Sequence, residues 1–210
     1  MSLERLPRVI TENEFTDDGL IKRKKDNKLL VPAYIASPHG FSCGEFSPGS
    51  LLPSFYEALE EKADIFALCP FRSCDEYLNK ELIGRWERYQ EMIDFWGDFN
   101  KNIVGKVNYE VLMPRSKLLI AIFDGNGSDI DSGVAAEVSF FATKFERQVI
   151  GIKSDLRLAE NPVALINPAV QYFLNYGPYK GLFFNGPNAY EEAIREIRYI
   201  SDGIIFDSTF

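Results

Sequence analysis

One histidine, three cysteines and no long apolar run leave this 210-residue chain without the usual materials of several protein classes. A Ser-His-Asp triad would have His39 as its sole base, and nothing around His39 supports that role. Cys43, Cys69 and Cys74 cannot all pair internally. Cys69 and Cys74 with His39 do not make up the four donors of a zinc site, so no metal is expected. With no secretory leader or membrane-length span ahead of them, these cysteines predict a reducing cytoplasm and no membrane partner. Basic charge is also scarce. Twenty-three Lys and Arg against 31 Asp and Glu leave a net charge of -8, which opposes binding to nucleic-acid polymers held through their phosphates. No fixed-period repeat is present, which excludes a solenoid. No Walker-type loop occurs. Gly125-Asn126-Gly127 follows an apolar run but lacks the third glycine of a dinucleotide fingerprint, Ile130 standing in its place. The carboxylates of Asp124, Asp129 and Asp131 would repel a pyrophosphate there. A small, neutral or cationic partner remains.

A hydrophobic content of 46% suffices for one sizeable core, so a single domain is the expectation. Residues 1–30 carry mixed charge, densest at Lys22-Arg23-Lys24-Lys25, and read as a solvated lead-in to a domain spanning 31–210. Within that domain apolar runs alternate with helical patterns. Strands are predicted at 30–36, 64–68, 118–123, 148–152 and 181–184, and helices at 51–62, 108–114, 132–145 and 189–200. Leu82, Trp86, Tyr89, Ile93 and Trp96 recur at helical spacing, which predicts a core-facing stripe. Strand-helix-strand units imply an α/β fold, a doubly wound and mostly parallel sheet of flavodoxin or Rossmann type flanked by helices.

Chemistry concentrates where Leu118–Phe123 hands over to the helix beginning at Ser132. In open α/β sheets ligands gather at the carboxyl ends of strands. Ser132 can cap that helix, and Gly133 keeps its first turn bare. Helical side chains lean toward the N-terminus, so Glu137 lies over Gly133 and faces the space left there. Val134, Val138, Phe141 and Phe145 define the buried stripe of this helix, with Glu137 at its edge and no basic residue one turn onward. A half-sheltered carboxylate near Asp131 has its charged form disfavoured, which suits a nucleophile or an acid-base group. The plain alternative is a helix glutamate near the favourable end of the dipole.

At Asp131-Ser132-Gly133-Val134-Ala135-Ala136-Glu137 the sequence resembles the nucleoside 2-deoxyribosyltransferase family, whose hallmark is an aspartate, a Gly-Thr-Ala-like turn and a glutamate after a buried strand. The resemblance runs from Tyr34-Ile35-Ala36-Ser37-Pro38 through Arg147–Ile152 and Asp155-Leu156-Arg157 to Asn167, most of residues 31–170. It implies that Glu137 attacks the anomeric carbon of a deoxynucleoside and that Asp131 binds sugar hydroxyls. It further implies that Tyr34 stands beside the nucleophile and that Asn167 enters a neighbouring subunit's site, hence a homo-oligomer. The family's base-side Asp or Asn falls near Asn108-Tyr109-Glu110, with Glu110 preferred and Asn108 second; Val134 replaces the usual threonine. No cofactor is required, and the implied partners are a deoxynucleoside and a free nucleobase.

Three functions follow from this resemblance. The first is transfer of a 2-deoxyribosyl group between bases through a covalent glutamyl intermediate. The second is hydrolysis of a deoxynucleoside or its 5′-monophosphate, the phosphate held by Ser37, Ser42 and Ser47 with Lys153 and Arg157 compensating charge. The third is a nucleoside-binding sensor without chemistry.

Overall fold

The computed structural model describes residues 6–38, 51–70, 73, 89–124, 130–154, 164–178 and 180–208. Its centre is five parallel strands, β3 (Leu29–Ala36), β4 (Ile65–Leu68), β5 (Leu118–Ile122), β6 (Val149–Lys153) and β7 (Leu182–Asn185). They lie in the order β4-β3-β5-β6-β7. This is the doubly wound order 2-1-3-4-5, in which the chain reverses direction between the first and third strands. Here that point falls between β3 and β5.

Both sheet faces are buried, and strand periodicity sorts the side chains. Val31, Ala33 and Ile35 of β3, with Leu118, Ile120 and Ile122 of β5, pack under helices α2 (Leu51–Lys62) and α6 (Ala189–Asp207). Tyr34 and Ala36, with Leu119, Ala121 and Phe123, face the opposite layer. That layer holds α3 (89–115), α4 (Ser132–Phe145) and α5 (Pro168–Leu174). The molecule is one α/β domain of three layers. No helix among the described residues is long and apolar enough to cross a membrane.

Three features differ from the sequence expectations. Part of the predicted solvated lead-in is sheet: β1 (Glu14–Phe15) and β2 (Ile21–Lys22) pair antiparallel, and β2 pairs with the start of β3. Asp17-Asp18-Gly19 makes the turn, Gly19 adopting φ +75°, and the burial of Leu20 and Ile21 supplies the driving force. Arg23, from the basic cluster, is tied to Asp26 and Glu60. A short helix, α1 (Arg8–Thr11), precedes the hairpin.

The second difference is α3. It runs as α-helix over Tyr89–Phe99, then opens into π turns at Asn100–Val104 and Val107–Leu112 before a last α turn at Met113–Arg115. The backbone N–H of Met113 donates to the carbonyl of Asn108, five residues back. The cause is legible in Phe99, Ile103, Val107 and Val111, all buried and spaced by four. On a regular α-helix each four-residue step drifts by roughly 40°. The wider turns cancel that drift and keep all four on the sheet.

The third difference is the aromatic stripe. Leu82 and Trp86 lie outside the described residues, Ile93 is exposed, and Trp96 is half-buried edge-on to Phe99. Trp96 packs against the core but the exposed Ile93 interrupts the stripe, so among the described side chains it is not a continuous core face.

Candidate active site

Two local signals place Glu137. The apolar strand β5 ends at Ile122 and is followed by Phe123 and Asp124, and α4 then runs back over the sheet with Val134, Val138 and Phe141 buried against it. Asp124 fixes the strand end. Its carboxylate accepts from the Ser154 backbone N–H at 2.7 Å, the Ser154 hydroxyl at 2.8 Å and the Tyr190 hydroxyl at 2.9 Å, joining β5, β6 and α6. At the helix start the cap is Asp131 rather than Ser132. Asp131 Oδ1 accepts from the N–H groups of Gly133 at 2.8 Å and Val134 at 3.1 Å, because its extended backbone (φ -54°, ψ 133°) leaves Ser132 already helical. A Cβ on Gly133 would stand 2.9 Å from that oxygen, so the bare turn protects the cap. Asp131→Ala is therefore expected to cost about 1 kcal/mol in urea unfolding, and Asp131→Asn, which keeps an acceptor, only a few tenths.

Glu137 meets two residues far away in sequence. The Tyr34 hydroxyl donates to Glu137 Oε1 at 2.5 Å, and Asn108 Nδ2 donates to the same oxygen at 3.3 Å. Tyr34 is fully buried in the central strand, paired with Leu68 on one side and Leu119 on the other. Asn108 is 5% exposed, and its Oδ1 has no hydrogen-bond partner. Both donors engage Oε1, so Oε2 is left without a bond among the described residues. The site thus sits over the β3/β5 reversal, where this sheet order opens a crevice.

The electrostatics follow from this packing. Burial pushes the Glu137 carboxyl up to about 7, and the Asp131 charge adds to the rise, while the Tyr34 and Asn108 hydrogen bonds pull the other way. Tyr34 is pushed well above the ordinary phenol range, first by burial and then by the Glu137 charge, so it stays a proton-bearing donor. Tyr109 is raised too, by burial and by Glu137. A carboxyl poised near neutrality, held at one oxygen and free at the other, can act as a nucleophile or exchange a proton.

Among the predicted site residues, Glu137, Tyr34 and Asn108 come together, with Asp131 and Gly133 one turn earlier on the same helix. Glu110, preferred on sequence grounds, is exposed, whereas Asn108 is buried. The π turn explains the reversal, since it sets which residue of Asn108-Tyr109-Glu110 faces the sheet. Asn167 does not approach Glu137 within the chain. It caps α5, accepting from the Ala169 N–H at 2.9 Å, and lines a cavity of about 370 Å³ with Ala135 and Ser139. Ala135 and Ser139 lie two positions either side of Glu137, roughly 200° around the helix, so this cavity occupies the opposite flank of α4.

His39, Ser42, Cys43, Ser47, Cys74, Asp129 and Arg157 lie outside the described residues. Cys69 is buried, and its sulfur accepts from the Tyr56 hydroxyl at 3.0 Å. No cluster of His, Cys, Asp and Glu among the described residues could hold a metal ion. The sequence reading missed Tyr109, whose ring packs edge-on against Phe140 at 4.8 Å.

No family model matches the sequence, and no curated protein matches it. Among solved structures the fold is similar to a 2-desoxiribosyltransferase from Leishmania mexicana, with TM-score 0.41 and 18% identity over 79% of this chain and 97% of that one.

Proposed function

We propose that this protein transfers a 2-deoxyribosyl group between nucleobases by double displacement at Glu137. The observation that carries the reading is a part-buried carboxylate with one oxygen fixed by Tyr34 and Asn108 and the other open. In the first half, Oε2 of ionised Glu137 attacks the anomeric carbon. The bond from that carbon to the base nitrogen breaks, its electron pair leaves with the base, and a glycosyl ester remains. In the second half, a nitrogen of the incoming base attacks the same carbon and expels the carboxylate. Two inversions give net retention.

Tyr34 and Asn108 supply the preorganised hydrogen bonds that aim the carboxylate and stabilise it as it leaves the ester. Asp131, with Oδ2 unused among the described residues, is assigned to the sugar hydroxyls. Asn167 is assigned to the site of a neighbouring copy, in keeping with its place on the far flank of α4. The sequence resemblance around residues 131–137 supports the same scheme.

The test is incubation with a deoxynucleoside and a second free base, followed by chromatography for the exchanged nucleoside. Exchange that depends on the acceptor base supports transfer. Free deoxyribose at a rate independent of acceptor replaces it with hydrolysis. Tight binding by calorimetry without turnover replaces both with a sensor.

A further inference from the structure

Resting on that reading, we infer that Tyr109 is the base-side residue of the site, donating a hydrogen bond from its phenol to the departing nucleobase. The need is chemical. A purine or pyrimidine anion leaves poorly unless its developing charge is shared with a donor. A carboxylic acid would be the obvious donor, but the two candidates on α3 do not serve. Position 108 is an amide with no acidic proton, its Nδ2 already donating to Glu137, and Glu110 is exposed.

Tyr109 stands between them. Its ring is half-buried and held edge-on to Phe140, 4.8 Å between centroids at 85°. Phe140 follows Glu137 by three residues on α4, so the phenol is anchored about one helical turn from the nucleophile. Its neighbour Asn108 donates to Glu137 Oε1, which holds this turn of α3 against the carboxylate, and the Glu137 charge raises the Tyr109 phenol. The Tyr109 hydroxyl has no hydrogen-bond partner among the described residues, unlike the Tyr34 hydroxyl. Because Tyr109 is pushed up, it keeps its proton and can donate it in a hydrogen bond. When the glycosidic bond breaks, the base takes the electron pair and rests on the phenol hydrogen bond. It then receives its proton from water, and the acceptor base later loses its N–H proton to water.

Tyr109→Phe keeps the ring and its Phe140 contact while removing only the hydroxyl, so circular dichroism should be unchanged. Exchange is measured for wild type and variant on two pairs of substrates, deoxyuridine with fluorodeoxyuridine and deoxyadenosine with deoxyinosine. The expected result is a fall in kcat of at least about tenfold on the member of a pair whose base leaves less readily, and a clearly smaller fall on the other, with KM little changed. Unchanged rates, or an equal loss on both members, overturn the inference about Tyr109 alone. Failure of wild type to turn over any of the four overturns the transferase reading and this inference with it.

Discussion

Glu137→Gln lowers base exchange by at least about 10³-fold while the chain remains folded, if Glu137 forms the covalent ester. Glutamine has nearly the same shape, and its amide oxygen can still accept from Tyr34 and Asn108, so the surrounding geometry persists. It cannot form the glycosyl ester as a carboxylate does, because a neutral amide oxygen is a poor nucleophile. Glu137→Ala is a less clean test. It leaves the Tyr34 hydroxyl and Asn108 Nδ2 buried without their acceptor, at roughly 1–3 kcal/mol for each such group. Steady-state rates with mass spectrometry of the trapped enzyme decide the matter. Wild type should carry the added deoxyribosyl mass on denaturation early in turnover, and the Gln variant should not. Retention of more than a tenth of the activity would remove Glu137 from the mechanism.

The same substitution should stabilise the protein, by an amount that grows from pH 4.5 to about 7 and is constant above it. The Glu137 carboxyl titrates at about 7 in the folded chain against 4.5 as its ordinary value. Between those two pH values the folded state holds a proton that the unfolded state has released. Stability therefore falls as pH rises through this window and levels off above about 7. The ionised carboxylate then costs the fold roughly 3 kcal/mol, which a neutral glutamine does not incur. Urea denaturation at pH 8 should find Glu137→Gln the more stable protein by up to that amount, and at pH 4.5 the two should be close. A difference that does not change with pH would mean that Glu137 is solvated and ordinary. The two results together describe a group kept at the expense of stability because its chemistry requires it. Exchange by the wild type should rise with pH up to about 7, as the nucleophile ionises.

Much of this architecture was legible along the chain. The helix predicted at 51–62 is α2, the helix predicted at 132–145 is α4, and each parallel strand lies within two residues of its predicted limits. These elements rest on periodicity, a local property. The antiparallel hairpin ahead of β3 was overlooked because charge dominates residues 12–28, and two apolar residues, Leu20 and Ile21, suffice to dock it. The Ser132 cap was displaced by one residue, since Ser and Asp are equally good caps and backbone dihedrals choose between them.

By itself the sequence determined the α/β class, the place of Glu137 at the edge of the α4 core stripe, and the carboxylates around the loop after β5, because each depends on neighbours within one or two turns. Only the tertiary structure decided that Asn108 rather than Glu110 joins Glu137 and that Asn167 lies on the other flank of α4; that Tyr34, 103 positions away, stands beside Glu137 was implied by the family resemblance and by no local pattern, and the hydrogen bond between them is seen only in the fold. The reason is that burial and hydrogen bonding across the sheet depend on how layers stack, and π turns reset the helical register that a sequence count assumes.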